Sequence, residues 1–108
     1  MFAKKLRLPA TTLLSHAQFF STPLFSLKIQ KNNLSYNRYG FVVSKKISKR
    51  AHIRNRSKRR VRAYVETLSS RLAPGYDMLF ILKTSVTSQP SVVVQKDVEK
   101  ALWKFLTQ

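Results

Sequence analysis

Phe25, Leu27 and Ile29 alternate with Ser26, Lys28 and Gln30, a two-residue period that predicts a strand with one wet face, ending at the turn-prone Lys31-Asn32-Asn33. Residues 39–44 (Tyr-Gly-Phe-Val-Val-Ser) are aromatic and β-branched and predict a second strand, paired with the first as a hairpin. From residue 51 to 72 the period lengthens. Val61, Tyr64, Val65, Leu68 and Leu72 form one helical stripe, which Ala73-Pro74-Gly75 stops. Tyr76–Leu82 is a nearly continuous apolar run, as expected of a strand covered on both faces or in the middle of a sheet, and a central place is the one expected. Beyond Pro90, Val94, Val98, Ala101, Leu102 and Phe105 share one face of a last helix, with Ser91 or Ser88 as its candidate N-cap. Upstream, Leu13, Leu14, Ala17, Phe19 and Phe20 have weak helical spacing that predicts a short helix over residues 12–20. The order of elements predicts an α+β, two-layer sandwich with helices packed on one sheet. No internal repeat or low-complexity segment interrupts it.

Length confines this pattern to one core, because 108 residues cannot build two. The expected unit is a single domain over residues 1–108, with an N-terminal helix region (1–23) and a body (24–108) carrying the sheet and the two long helices. Charge changes the picture most. The net charge is +17, and residues 1–65 hold sixteen Lys and Arg and no acid. Self-repulsion of that size is tolerable when the partner is a polyanion, and it places that partner on the first two-thirds of the chain. No cysteine is present, which excludes disulfides, thiolate metal sites and a cysteine nucleophile. The acid-free, Ser/Thr-bearing start also suits a mitochondrial transit peptide, but the reading taken is a soluble, cytoplasmic protein with no membrane span.

Ten of the twenty-one basic residues fall between positions 45 and 62. At ~100° per residue, Asn55, Arg56, Arg59, Arg60 and Arg62 face away from the apolar stripe, while Arg54 and Lys58 fall near it. The stripe ends near Val61, so the first two turns of the helix are expected to project as a polar prong with arginines on several sides. Guanidinium forks suit the phosphates of a folded RNA, and their planes stack on exposed bases. A merely solvated helix face normally mixes charge signs in i,i+4 pairs, and this helix has no acid before Glu66. Phe19, Phe20, Phe25, Tyr36, Tyr39 and Phe41, interleaved with Lys28, Lys31, Arg38, Lys45 and Lys46, offer a possible stacking groove for single-stranded RNA, against core packing as the plainer use of each ring. An enzyme centre is not visible. Glu66 and Asp77 belong to different elements, His16 and His52 are isolated, and two glycines cannot make a phosphate-cradling loop.

Residues 41–62, FVVSKKISKRAHIRNRSKRRVR, closely resemble the signature of the bacterial ribonuclease P protein family: a strand ending in Val-Ser-Lys-Lys, then Ala-x-x-Arg-Asn-Arg-x-Lys-Arg-x-x-Arg on a helix. Pro74-Gly75-Tyr76-Asp77 before an apolar strand resembles the family's next element, and the order of elements agrees over roughly three-quarters of the chain. The resemblance implies a four-stranded sheet with a left-handed βαβ crossover, contrary to the usual hand. It also implies a function. In this family a large RNA, with bound Mg²⁺, cleaves the 5′ leader from precursor tRNA, and the protein makes that ribonucleoprotein effective; no organic cofactor and no metal ligand in the protein are implied.

Carried over residue by residue, Arg54, Asn55, Arg56, Lys58, Arg59 and Arg62 match the motif that lies against the catalytic RNA. Ser44, Lys45 and Lys46, with Lys49 and Arg50, match the segment leading into it. Phe25, Lys28, Tyr39 and Phe41, with Phe19 or Phe20, match the region that reads the single-stranded leader. The implied partners are the catalytic RNA and precursor tRNA, one monomeric protein per RNA, with no membrane and no DNA. A purely structural RNA-binding protein, such as a small ribosomal protein, is the alternative, and a DNA-binding module a third class.

Overall fold

The alternating segment around Leu27 is one of four strands in a mixed sheet. The computed structural model describes residues 6–9, 14–84 and 86–107. Its strands are β1 (Gln18–Ser21), β2 (Phe25–Lys31), β3 (Arg38–Val42) and β4 (Tyr76–Leu82), and its helices α1 (Ala51–Leu68) and α2 (Ser91–Leu102). The spatial order is β1-β2-β4-β3. β1 and β4 run antiparallel to β2, and β3 runs parallel to β4, so α1 is the crossover between two parallel neighbours. Among the described residues, no helix is long and apolar enough to cross a membrane.

The expected central position of β4 holds, and it overturns the expected hairpin: β2 and β3 are consecutive in sequence but are separated by β4. A period of two fixes which side chains share a face and says nothing about the neighbouring strand. The helix expected over residues 12–20 is also corrected. Residues 10–13 lie outside the described residues, while Gln18–Ser21 form an edge strand with Phe19 opposite Lys28 and Phe20 opposite Leu27. Thr22 closes that hairpin. Its Oγ1 accepts the N–H of Leu24 at 3.3 Å and of Phe25 at 3.1 Å, and the Thr22 N–H donates to Phe25 O at 2.8 Å. Two adjacent aromatics beside a strand with a free edge gain more from pairing than from one short turn of helix.

Both helices cover one face of the sheet, as the two stripes required. Val61, Val65, Leu68 and Leu72 meet Val94, Val98, Ala101 and Leu102 over Phe25, Leu27, Ile29, Met78, Phe80 and Leu82, all buried. Phe80 centres the layer, stacked with Phe41 at 5.1 Å between centroids and edge-on to Phe25 at 5.4 Å. Neither Ser88 nor Ser91 caps α2: Pro90 occupies the cap position without a side-chain hydrogen bond, and the Ser91 hydroxyl faces Arg60.

The register sends the other parity of each strand to the opposite face. Phe19 and Ser21, then Ser26, Lys28 and Gln30, then Asp77, Leu79 and Ile81, then Arg38, Gly40 and Val42 lie in rows across it. Residues 6–9 run beside β3, with Leu8 N–H donating to Tyr39 O at 2.8 Å. The Leu8 side chain lies close enough that a Cβ on Gly40 would stand 3.2 Å from its Cδ2. At the sheet's end, Asn37 accepts the Tyr76 N–H at 2.8 Å and donates to Ala73 O at 3.0 Å, tying the β2–β3 loop to the turn before β4. That turn uses Gly75 at φ 93°, where any side chain is strained.

Candidate nucleic-acid interface

The basic segment begins in the loop after β3. Ser44, Lys45, Lys46, Lys49 and Arg50 are exposed there. The loop is pinned to the helix it precedes: Ser48 Oγ accepts the Arg50 N–H at 3.2 Å, and Arg54 Nη1 donates to Ser48 O at 2.8 Å. α1 has no acid in its first turn and no side-chain cap. Its free N–H groups therefore add the positive end of the helix dipole to the surrounding cations.

Along α1 the candidates separate into two groups. Asn55, Arg56 and Arg59 are exposed on the outer side, with no ion pair to a described residue. Arg54, Lys58 and Arg62 are half-buried, and the Arg62 guanidinium lies 5.4 Å from the centroid of Phe41. The prong is shorter than the sequence predicted. Ser57 is fully buried, its hydroxyl donating to Ile53 O at 2.9 Å, so the seated face extends one turn beyond Val61. Stepping the stripe back four residues from Val61 lands on Ser57, a signal hidden because the residue there is polar.

Arg60 is not part of the outward face. Its Nη1 donates to Val86 O, and its Nη2 to Ser91 Oγ at 3.2 Å, tying α1 to the start of α2. Arg60→Ala is therefore expected to cost about 1 kcal/mol of stability in a urea melt and to leave the outward charges in place. A variant as stable as the wild type would show that these bonds do not hold the helix.

The aromatic candidates disperse. Phe25 is fully buried and Tyr39 is 5% exposed, both on the helix-covered face, so neither is available to a base. Phe20 and Phe41 are half-buried against the same core. Of the six leader-binding candidates, Phe19 and Lys28 alone share the open face, where they are directly paired. Sequence reasoning missed the rest of that face, Gln30, Val42, Leu79 and Ile81, although strand parity places each of them there. Among the described residues, the Arg38–Asp77 ion pair sits on this face, with Nε–Oδ1 at 2.8 Å and Nη2–Oδ2 at 2.7 Å.

No group of three or more His, Cys, Asp or Glu exists among the described residues. Asp77 is held by Arg38 and Asn32, Asp97 accepts the Leu24 N–H at 3.2 Å, and Glu99 accepts from Gln95 at 3.2 Å. What the arrangement offers is a cationic helix face and loop for a polyanion, beside a mixed polar and apolar sheet face.

Comparisons with known proteins agree with one another. The family model described as Ribonuclease P matches residues 10–106. The ribonuclease P protein component of Haemophilus influenzae (strain PittGG) is 40% identical over 84 residues, which cover 78% of this chain and 69% of that one. The protein of the same name from Clostridioides difficile (strain 630) is 35% identical over 88 residues, covering 81% and 73%. The solved structure of the RNase P protein from Thermotoga maritima matches this fold with a TM-score of 0.80 at 21% identity, covering 92% of this chain and 96% of that one.

Proposed function

The chain belongs to the ribonuclease P protein family, and from that premise we propose that the exposed side of α1 with the loop before it docks on the catalytic RNA, while the open face of the sheet receives the precursor's 5′ leader. The chain is the protein component of a ribonucleoprotein endoribonuclease that matures tRNA 5′ ends, which sets aside the ribosomal alternative. The observation that carries the two-surface reading is a segregation. Lys45, Lys46, Lys49, Arg50, Asn55, Arg56 and Arg59 are exposed together on one acid-free segment, whereas Phe19 and Lys28 lie on a sheet face that no helix among the described residues covers.

Each surface has its chemistry. Guanidinium and ammonium groups on α1 neutralise phosphates and release counterions, with Asn55 adding a donor and an acceptor among them. Arg54, Lys58 and Arg62, half-buried, reach the same RNA from the flanks, and Ser44 adds a hydroxyl at the strand end. On the open face, bases of the leader lie against Phe19 and the apolar Val42, Leu79 and Ile81, with Lys28 beside a phosphate. The protein's part in cleavage is to bind and orient RNA. Magnesium belongs to the RNA in this reading, and Asp77, Asp97 and Glu99 each accept a hydrogen bond from within the chain. The same proposal takes residues 1–108 as one RNA-binding domain, one monomer per RNA in the cytoplasm, with the left-handed β3–α1–β4 crossover of the family.

The test is cleavage of a 5′-labelled precursor tRNA by the cognate catalytic RNA at low millimolar Mg²⁺, with and without the protein. The expected result is protein-dependent cutting at the mature 5′ end, and tighter binding of the precursor than of leaderless tRNA. A folded protein that gives neither overturns the reading.

A further inference from the structure

Two large apolar side chains stand out by exposure, Phe19 on β1 at 62% and Trp103 just past α2 at 74%. They are not scattered. Both wall a groove of about 500 Å³ between the β1 edge and the end of α2, with Phe20, Ile29, Ala101 and Phe105 lining its apolar floor. Lys96, Lys100 and Lys104 form its rim at four-residue spacing, about 6 Å per step while the helix lasts. Glu99 is the acid there, and Gln95 donates to it at 3.2 Å. The groove runs on past Gln18, Ile29 and Phe105 into a second hollow of about 370 Å³ that His16, Lys31 and Tyr76 enclose.

An exposed apolar patch of this kind marks a contact surface, and the rim selects the occupant. A second copy of the chain would bring another +17 charges against three lysines, so self-association here is opposed. A single-stranded polyanion with flat, stackable groups meets both features, aromatic rings for its bases and ammonium groups for its phosphates. Position identifies which strand. β1 is the sheet edge opposite β3, and Phe19, paired with Lys28 on the open face, is also part of the groove wall. A strand crossing the open face toward β1 leaves it over Phe19 and arrives at Trp103.

We propose that the groove between β1 and α2 holds the distal part of a long 5′ leader, with Trp103 stacking on a base and Lys96, Lys100 and Lys104 on its phosphates, so that the protein distinguishes long leaders from short ones. This rests on the reading that the open face takes the proximal leader. No bond is made or broken; the groove adds affinity only when the leader is long enough to turn the edge.

The chain contains a single tryptophan, which makes the test direct. The assembled ribonucleoprotein is titrated with leaderless tRNA and with two precursors, one with a leader of about four nucleotides and one of about twelve, and both binding and tryptophan emission are followed. The expected result is a change in emission with the long leader only, and binding of that precursor weakened about tenfold by Trp103→Ala and by Lys100→Gln/Lys104→Gln, with the short leader unaffected. Trp103→Phe, which keeps a stacking ring, should retain most of the length dependence. Unchanged emission and unchanged long-leader affinity in the variants would sink the groove. Equal losses with both leaders would do the same, since the groove would then serve another strand. If the wild type fails to distinguish the short-leader precursor from leaderless tRNA, it is the open-face reading that fails. Because Trp103 is mostly exposed, melting temperatures of the variants should match the wild type and keep misfolding out of the result.

Discussion

Replacing Arg56 and Arg59 by alanine is expected to weaken binding of the catalytic RNA by about 1–3 kcal/mol per site, a factor of roughly five to a hundred each. Both side chains are exposed on the outer side of α1, and neither forms an ion pair with a described residue, so no such pair is lost with them. What is lost is a charge-assisted fork to phosphate, together with the counterions its contact releases. The logarithm of affinity should therefore fall less steeply with the logarithm of salt, the slope shrinking by about 0.7–0.9 per phosphate contact removed. Arg→Lys at the same positions should keep the slope and lose part of the affinity, because an ammonium neutralises a phosphate without forking onto it. Binding across a salt series, beside a thermal melt, decides the matter. Unchanged affinity would place the RNA elsewhere, and a lowered melt would make these arginines structural.

The second large effect is on stability. Asp77→Asn is expected to cost about 3 kcal/mol, because Asp77 is 2% exposed and joins three segments. Arg38 of β3 grips both its oxygens, and Asn32 of the β2–β3 loop donates to Oδ1 at 2.9 Å. Burial pushes the Asp77 carboxyl upward, but the bonds from Arg38 and Asn32 and the charge of Arg38 outweigh it and hold the group below the ordinary carboxylate value. A depressed folded pKa stabilises the protein fully above the unfolded value of about 4 and loses that contribution as pH falls through the folded value. The gap between wild type and Asp77→Asn in urea should thus be widest near neutral pH and narrow in acid. A gap that ignores pH would mean the cost came from packing rather than from the ion pair.

Much of this fold was legible because burial writes its period into the chain. β2 showed its alternation, β4 its apolar run, and α1 and α2 their stripes, and each proved to be the element predicted. Strand neighbours carry no such signal, which is why β3 was assigned to β2 rather than to β4. β1 is four residues long, too short for either period to stand out. In the site, the Arg-Asn-Arg segment was legible as a run of charge, but charge does not say which arginines turn inward, as Arg60 does toward Val86 and Ser91. The stacking candidates were chosen for being aromatic, and identity does not give a direction. Parity did: Phe25 shares its side of β2 with Leu27 and Ile29, and Lys28 does not.

The insertion of β4 between β2 and β3 also sets the order of events during synthesis. A chain leaving the ribosome from its amino end can close the β1–β2 hairpin early, yet β3 has no described partner strand inside the sheet until residues 76–82 have emerged. Until then α1 is an eighteen-residue helix with like charges on adjacent turns and no sheet beneath it, a segment that barely forms in water. Completion is a late, non-local step of high contact order. The newborn cationic two-thirds therefore passes through an interval as a loose polycation, and the strand that ends that interval is the same one that gives α1 its shape.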